Sequence, residues 1–537
     1  MKRILITALA CISIKTTFSQ QTEQPIKGHL NGSFENYSQY YMQDDKIGAT
    51  APQDKVGSNN FLKLDYTYGK FTAGVQFEAY LPSINGYYDI AANQSKLVNR
   101  YFKYTEEKFS VQVGDFYEQF GSGLIFRSYE NRQIGINNAL EGINIYVEPT
   151  EFLKIKALYG RTRKLFDYSN SITRGVDAEI DITKAFASKT KEHSTHIAIG
   201  GSYVGRYQEY TGPIDDYPST VDAFATRFDL NSNDYSLNIE YVNKGKDPHF
   251  INQNSFEKGK ALLINAAYTK NNLGITFTGR SLTNMDFRSE RNIAIATQLP
   301  VNYVPALTKQ HDYLTSNIYV YSAQLKAETG FQTDLYYSFK PNTKLGGKYG
   351  TKIAANFSTY YSLKNNNDIL SGGNDKYYSD ANIELKKKFS KKFEATLGLQ
   401  NIFYNALVIS GSGHENVTSN ILGLSGIYKF ASKKSLKVTL EHLWTKEDKG
   451  NWASLITEYS FSSPYSFYVS DLFNYGNSES DKQNHYYNVG ASVTKNSTRF
   501  ALGFGRQRAG LFCVGGVCRF VPSAYGFTAT LTTSFGN

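Results

Sequence analysis

The chain has 537 residues, a formal net charge of +10 and a mean hydropathy of −0.43. Aromatic residues make up 15% of it, with 42 Tyr and 35 Phe, a content too high for a disordered protein. The positive charge forms no single basic block and accompanies no recognition module, so the composition also argues against a nucleic-acid-binding protein.

Residues 1–19 have the layout of a secretory signal peptide. A basic start at Lys2 precedes a mostly apolar stretch over 4–14, and the small residues that follow predict cleavage before Gln20. Cys11 lies in a stretch that resembles a lipoprotein box, but few apolar residues precede it, which favours cleavage without lipidation. We therefore expect a mature chain that is exported from the cytoplasm.

After the signal peptide the chain reads as one strand after another. Segment 393–400 alternates apolar and polar residues, and so do 235–241, 273–278 and 331–339. Side chains on a strand point to opposite faces in turn, so each segment has one apolar and one polar face. Many of these segments run about 10 to 13 residues, the length that a tilted strand needs to cross a bilayer. No run of about 20 apolar residues offers a transmembrane helix instead.

The connections between these segments alternate between short and long. Short turns are predicted at 69–70, 106–108, 149–151, 231–233, 270–272, 390–392, 432–434 and 495–497. Longer polar loops are predicted at 42–58, 82–95, 205–220, 282–316, 405–419 and 474–485. This alternation is typical of bacterial barrels, which have short periplasmic turns and long outer loops. Residues 20–537 are therefore predicted to form a single transmembrane antiparallel outer-membrane β-barrel of about 20–24 strands.

Residues 114–140 break the strand pattern and form the most unusual stretch of the sequence. Glycines at 114, 121 and 123 permit tight bends, and charged and aromatic side chains crowd around them. Such a segment suits a position folded inward against a charged barrel wall, where each charge finds a partner. Two interpretations stay open, a constriction that selects solutes and a brace that stabilises the wall. The candidate residues for either role are Asp115, Tyr117, Glu118, Phe120, Arg127, Glu130 and Arg132.

Two shorter motifs in the middle of the chain resemble functional sites without matching them. His193 and His196 would point to opposite faces of a strand, so a shared metal ion is not expected. The Gly- and Ser-rich stretch 410–414 does not follow the pattern of a nucleophile elbow. We predict no catalytic residue, no metal site and no cofactor, and hence no enzyme. A barrel-embedded hydrolase is the least favoured class.

The last part of the chain predicts a disulfide-closed hairpin. The turn 514–517, centred on Gly515-Gly516, suits the type I′ geometry. Cys513 then faces Cys518 in the next cross-strand pair, with Cα atoms about 4.5–5.5 Å apart, within the range of a disulfide. The hairpin tip belongs to the outer-loop side, where the disulfide would hold a loop shape.

The glycine-rich stretch and the ending of the chain also carry a family resemblance. Gly114-Asp115-x4-Phe120-Gly121-x-Gly123-Leu124 resembles a motif of outer-membrane barrels from Bacteroidota. Together with 127–130, 138–142 and the ending 505–519, it is similar to one uncharacterised family among them, a domain of unknown function. The two motifs lie near opposite ends, so the resemblance covers the whole mature chain. It implies an outer-membrane barrel and supplies no activity.

These features lead to two competing functions at the cell outer membrane. The favoured one is a pore or transporter for polar solutes, including anions, because the wide polar lumen carries lysines such as Lys154, Lys156 and Lys437. The alternative is a non-catalytic structural component of an outer-membrane assembly or secretion complex. An open lumen would favour the pore, and a lumen filled by 114–140 would favour the structural component.

The expected partners follow from the location. Outer-membrane lipid would surround the wall, and envelope-complex proteins are candidates for a structural role. The final strand places Phe535 near the chain's end, which resembles the signal that outer-membrane insertion machinery reads during biogenesis. No nucleic acid is expected as a partner.

Overall fold

The alternating segments form a closed antiparallel barrel of 24 strands in the computed structural model. The structure describes residues 27–87, 93–186, 194–214, 216–292, 299–366, 368–411, 416–462 and 464–536, so the signal peptide predicted over 1–19 lies outside the described residues. The first strand pairs with the last, with Tyr37 opposite Thr530, and the sheet therefore closes on itself. The predicted fold class and strand number are confirmed.

The barrel strands follow one another round the wall in chain order. They are His29–Tyr41, Val56–Tyr68, Phe71–Tyr80, Gln94–Thr105, Phe109–Phe116, Leu140–Thr150, Leu153–Lys164, Ile172–Asp181, Thr195–Tyr207, Thr220–Ser232, Tyr235–Lys246, Lys258–Lys270, Leu273–Thr283, Ala327–Phe339, Thr351–Leu363, Gly372–Lys388, Phe393–Tyr404, Val417–Ala431, Lys434–Trp444, Trp452–Ser462, Tyr465–Phe473, Asn488–Lys495, Thr498–Gln507 and Ala524–Gly536.

The connections between the barrel strands contain short helices and short strands in the described part of the chain. The helical ones are Ile182–Phe186, Ala406–Ser410, Asp45–Ile47, Thr315–Asn317 and Ser480–Lys482. The short strands are Gln119–Phe120, Phe126–Arg127, Glu130–Asn131, Ile136–Asn137, Asp167–Tyr168, Gly510–Val514 and Val517–Val521. No helix among the described residues combines the length and apolar character needed to cross a membrane.

The connections alternate as predicted. At one end of the barrel, turns such as 69–70, 271–272 and 496–497 join neighbouring strands directly. Gly69, Asn271 and Asn496 have φ between 53° and 57° in these turns, the left-handed conformation that tight hairpins require. At the other end the connections are longer, and the longest of them spans 284–326.

The two faces of the wall differ in chemistry. In the strand Phe393–Tyr404, Leu399 is 50% exposed on the outside, whereas its neighbour Gln400 is 8% exposed on the inside. On the inner face, Asn356 donates to Asp334 at 2.6 Å and Asn382 donates to Asn356 at 3.0 Å, a polar ladder across three strands. A closed wall that is apolar outside and polar inside places the protein in the outer membrane.

Two long connections turn inward and pack against the inner face of the wall. We name 117–139 the first inner segment and the described residues of 284–326, which are 284–292 and 299–326, the second inner segment. The first apolar cluster joins both segments to the wall and includes Phe120, Leu124, Phe287, Val204, Ala223 and Val242. The second joins the second inner segment to the opposite wall and includes Tyr319, Tyr321, Tyr360, Ile402, Tyr404 and Trp452. Burying these side chains stabilises the inward position by about 1.5–3 kcal/mol for each large one.

Candidate functional site

The first inner segment leaves the wall where the strand Phe109–Phe116 ends. Gly114 takes φ +98°, a conformation that other residues rarely adopt. Asp115 is buried, and its carboxylate accepts hydrogen bonds from the Arg100 amide at 2.8 Å and the Tyr168 hydroxyl at 3.0 Å. Both carboxylate oxygens of Asp115 thus hold the point at which the first inner segment leaves the wall.

The next two candidate residues tie the segment to wall strands on either side. Glu118 forms an ion pair with Lys156 at 2.8 Å and accepts from the Asn144 amide at 3.1 Å. The Tyr117 hydroxyl accepts from Asn99 at 2.9 Å and donates to Asn137 at 3.0 Å.

The bend at 120–123 brings backbone against the wall. Phe120 is fully buried and its ring centroid lies 5.3 Å from that of Phe126. The backbone amide of Ser122 donates to the Glu240 carboxylate at 2.9 Å. A Cβ at Gly121 would lie 2.7 Å from Arg227 Cδ and 2.9 Å from the Glu240 oxygens, so the close approach requires glycine.

Glu130 and Arg132 form an inner charge cluster with the wall. Arg132 pairs with Glu130 at 3.1 Å and with Glu35 of the first strand at 2.9 Å. Gln76 donates to Glu130 at 2.7 Å. The Arg132 guanidinium also lies 4.7 Å from the Phe61 ring centroid, a cation–π distance. Each charge in the cluster therefore has an opposite charge or a ring beside it.

Arg127 joins the two inner segments. Its guanidinium lies 4.1 Å from the ring centroid of Tyr303 and 4.8 Å from that of Tyr129. The Arg127 amide donates to Val301 at 2.9 Å, and the Tyr303 amide donates to Gly123 at 2.9 Å. The two segments consequently form one body inside the barrel.

The second inner segment is held by polar groups of the opposite wall. His311 Nε2 lies 2.6 Å from Asp380 Oδ2, and Gln400 lies within 2.9 Å of the same imidazole nitrogen. Glu441 accepts from the amide of Thr315 at 2.8 Å and from its hydroxyl at 2.9 Å.

The sequence analysis predicted 282–316 as an outer loop, and that prediction is wrong, because the stretch packs inside the barrel. The stretch has two tyrosines, Tyr303 and Tyr313, so its composition did not distinguish it from a solvated loop.

A buried charge cluster of the wall lies against the second inner segment. Arg206 and Lys244 both pair with Asp247, and the Lys244 ammonium also donates to the Asp286 carbonyl at 2.6 Å. Burial alone would raise the pKa of the Asp247 carboxyl, but Arg206 and Lys244 outweigh it and hold that pKa below its usual value. Asp247 therefore stays ionised and can pair with both cations.

The C-terminal hairpin reaches the same interior. Cys513 and Cys518 form a disulfide with Cα atoms 4.0 Å apart, somewhat closer than expected. Gly515 and Gly516 have φ 59° and 77°, as the predicted type I′ turn requires. The Gly516 carbonyl accepts from the Ala306 amide at 2.8 Å. The disulfide hairpin thus lies against the second inner segment.

The barrel and its inner segments involve nearly the whole chain, and one family model matches the same length of sequence. The family described as "Family of unknown function (DUF6029)" matches residues 1–535. The chain belongs to the DUF6029 family. The predicted membership in a family of unknown function is confirmed. No curated protein matches the chain.

Several solved structures of barrels are similar to the DUF6029 chain at low identity. The P pilus usher PapC translocation pore has a TM-score of 0.44 at 8% identity, covering 95% of this chain and 99% of that one. The outer-membrane protein OpdK from Pseudomonas aeruginosa scores 0.36 at 8% identity, covering 95% and 99%. The outer-membrane transporter YddB from Escherichia coli scores 0.37 at 9% identity, covering 94% and 81%. At these values the likeness extends no further than the architecture.

The lysines that suggested a basic lumen in the DUF6029 barrel each have a carboxylate partner. Lys154 lies 4.0 Å from Glu179, Lys156 pairs with Glu118 as described, and Lys437 lies 2.7 Å from Glu458. These lysines therefore do not form an uncompensated basic surface. Sequence reasoning could not see this, because each partner stands on another strand or on the first inner segment.

The remaining motifs of the DUF6029 chain are placed only in part. His196 lies 4.0 Å from Asp181, while His193 is outside the described residues. Residues 412–415 are also outside them, so the stretch 410–414 is described only up to Gly411. Within the part of the chain that the structure covers, no three His, Cys, Asp or Glu side chains stand where they could share a metal ion.

Proposed function

We propose that this barrel is a gated outer-membrane pore or transporter for polar solutes. The observation that carries the proposal is the two-sided wall, apolar outside and hydrogen-bonded polar inside, closed by 24 strands. Barrels of about 16–18 strands already leave an aqueous channel, and those of about 22 strands have a plugged lumen. A barrel of this width therefore offers a path for solutes wherever the inner segments withdraw.

The inner segments are the gate of the proposed transporter. Leu307 and Leu314 of the stretch 305–317 pack against the second apolar cluster. Its polar attachments to the wall are made by Lys309, His311 and Thr315, whose partners are Glu384, Asp380 and Glu441. Polar attachments of this kind can exchange for water at modest cost, because the net contribution of one hydrogen bond is about 0.5–1.5 kcal/mol. The first inner segment, with its apolar cluster, is the fixed part of the gate and acts as the brace.

Planar-bilayer recording on the purified full-length protein tests the proposal. We expect small conductance from the wild type and a large, steady conductance after 305–317 is replaced by a Gly-Ser linker. The same replacement at 341–349, an exposed segment at the opposite end of the barrel, is the control and should leave conductance unchanged. Silence of the wild type and of the linker variant at all voltages and salts would contradict a pore.

A structural component of an envelope assembly is the second candidate. It is favoured by one observation, the anchoring of the first inner segment to the wall through Glu118, Glu130 and Arg132. A structural component needs no open path for solutes, so a lumen filled by the inner segments is compatible with this role. Mild extraction followed by a pull-down would recover a stoichiometric partner in that case, together with linker variants that do not conduct.

The proposal also includes the origin and biogenesis of the chain. We infer a source in Bacteroidota, export by the signal peptide 1–19, insertion by the outer-membrane machinery through the strand that ends near Phe535, and no catalysis. The motif at 114–124 supports the source, and the composition of residues 1–19 supports export. A mature N-terminus at Gln20, measured by mass spectrometry, is the expected result.

A further inference from the structure

A cavity of about 550 Å³ remains beside the inner segments. It lies between the first strand, the second inner segment and the C-terminal hairpin, with Tyr37, Asn317 and Phe512 on its walls. Its volume falls in the range of about 300–1,000 Å³ that small-molecule sites occupy. The cavity is therefore large enough for a small organic solute.

The lining of this cavity is basic. Among the described residues that line it, Arg506, Arg508 and Arg519 are cationic, and none is Asp or Glu. Arg506 is satisfied elsewhere, since it pairs with Asp44 at 2.6 Å. Arg519 lies 4.5 Å from the Tyr87 ring centroid, which fixes its place in the hairpin. Arg508 is the cation on which the inference rests.

Arg508 has only neutral hydrogen-bond acceptors in the described part of the chain. Its guanidinium donates to the backbone carbonyls of Ala509 at 3.2 Å and Asn317 at 3.3 Å. No ion pair joins it to a carboxylate among the described residues, and Asp448, an opposite charge that acts on it, accepts from the Tyr319 hydroxyl at 3.1 Å. A guanidinium has five N–H donors, so several remain available to a ligand.

The electrostatic surroundings of Arg508 also favour an anionic ligand. Partial burial lowers the pKa of its guanidinium, although Asp448 acts in the opposite direction. An arginine remains charged at neutral pH despite such a shift, since its ordinary pKa exceeds about 12. Asp448 acts on Arg508 without forming an ion pair with it, so an anionic ligand in the cavity would gain charge-assisted hydrogen bonds from the remaining N–H groups.

We propose that this cavity binds a small organic anion, whose carboxylate or phosphate pairs with Arg508 while its body packs on Tyr486 and Phe512. The proposal rests on the transport function above and deepens it by naming the substrate class. Aromatic rings and side-chain amides around the cation suit a solute that has an apolar or ring-shaped body and one anionic group. The sequence analysis expected anionic solutes because of the lysines of the lumen, whereas this proposal places their binding at Arg508.

Calorimetric titration of the full-length barrel in detergent tests the site. The probes are benzoate, inorganic phosphate and uncharged benzyl alcohol, which matches benzoate in size. We expect benzoate to bind and benzyl alcohol to bind at least about tenfold more weakly, since a hydrogen bond to a charged group is worth about 1.5–3 kcal/mol. Tighter binding of phosphate than of benzoate would support the site and assign it to phosphorylated solutes.

Variants separate the cation from the fold. Arg508→Gln should weaken anion binding at least about tenfold, and Arg508→Lys should retain part of it. Arg499→Gln, at the opposite end of the strand Thr498–Gln507, is the matched control and should bind like the wild type. Heat-dependent gel mobility shows that each variant is a folded barrel. Equal binding of benzoate and benzyl alcohol, no binding of either anion, or unchanged binding in Arg508→Gln would overturn the proposal.

The failure of this site and the failure of transport give different results. Anion binding that depends on Arg508 in a protein that never conducts would uphold the site and remove the transport function. Conductance without Arg508-dependent anion binding would do the reverse. The two measurements use the same purified protein, so each outcome counts against one proposal alone.

Discussion

His311 of the second inner segment and Asp380 of the wall strand Gly372–Lys388 lie 2.6 Å apart, Nε2 to Oδ2. Their side chains are 6% and 0% exposed. The residues are 69 positions apart in sequence, and their contact joins the movable part of the lumen filling to the barrel. A second pair, His485 and Asp471, has the same 2.6 Å separation with side chains 51% and 36% exposed.

This matched pair predicts where the gate is attached. His311→Ala removes the contact of 305–317 with the buried Asp380, which keeps hydrogen bonds only to the wall residues Gln400 and Asn382, so we expect the attachment of 305–317 to weaken by about 1–3 kcal/mol. His485→Ala removes an exposed pair, which is worth about 0–1 kcal/mol. Hydrogen exchange of 305–317 and bilayer conductance should both rise in the first variant and stay near wild type in the second. Equal behaviour of the two variants would show that the segment is held by other contacts.

Gly121 and Gly48 predict the cost of crowding in the first inner segment. Both have positive φ, 53° and 65°, but a Cβ at Gly48 would meet nothing within 4 Å. Replacement by Ala should cost about 1–2 kcal/mol at either position for the backbone strain. Gly121→Ala should cost about 1–3 kcal/mol more, because its Cβ would press on Arg227 and Glu240. Thermal unfolding followed by gel mobility measures the difference, and equal midpoints would contradict the crowding.

The orientation of the wall predicts effects of different size for two positions on one strand, Leu399 and Thr396. Leu399 is half exposed on the outside, whereas Thr396 stands on the inner face of the same strand. Leu399→Arg should destabilise the folded barrel in lipid by about 2–4 kcal/mol if it lies near the middle of the bilayer. Thr396→Arg should have a much smaller effect, since its side chain reaches the polar lumen. Refolding into lipid vesicles at increasing denaturant checks both, and an equal loss in the two variants would argue against the assigned faces.

His249 predicts a loss of local stability on acidification. Burial lowers the pKa of its imidazole, with Asp247, Lys244, Asp286 and Arg288 as the charged groups around it. The folded loop therefore holds neutral imidazole, whereas the opened loop takes up a proton as the pH falls through about 6.5. Since the opened state binds more protons below that pH, the closed loop should lose stability between pH 7 and pH 5.

Hydrogen exchange over 247–257 at both pH values, corrected for the intrinsic exchange rate, measures that loss. Exchange should be faster at pH 5 than at pH 7 in the wild type. His249→Gln should remove most of the dependence, because glutamine does not titrate in this range. A pH dependence of equal size in the variant would assign the effect to the neighbouring carboxylates.

Local chemistry made much of the barrel predictable. The period of two in 393–400 fixed which side chains share a face, and the length of such segments fixed what they can span. The turn at Gly515-Gly516 and the pairing of Cys513 with Cys518 depend on the residues within the hairpin itself. Strand number and the alternation of turns and loops followed from the same short-range signals.

The contents of the lumen were decided by tertiary structure. The first inner segment could be suspected from its glycines, but its attachment to Glu240 joins residues 118 positions apart. The second inner segment looked like an outer loop, and the partners of Lys154 and Lys156 were invisible along the chain. Arg508 stands out only after the hairpin, the first strand and the second inner segment meet around one cavity.

The physical reason for this division is the range of the interactions involved. Strand alternation and hairpin geometry arise from the sterics and hydrogen bonds of residues close in sequence, so the sequence by itself determined the wall of this protein. Which loops enter the barrel, and which charges remain without a partner there, depends on groups that only the closure of the sheet brings together.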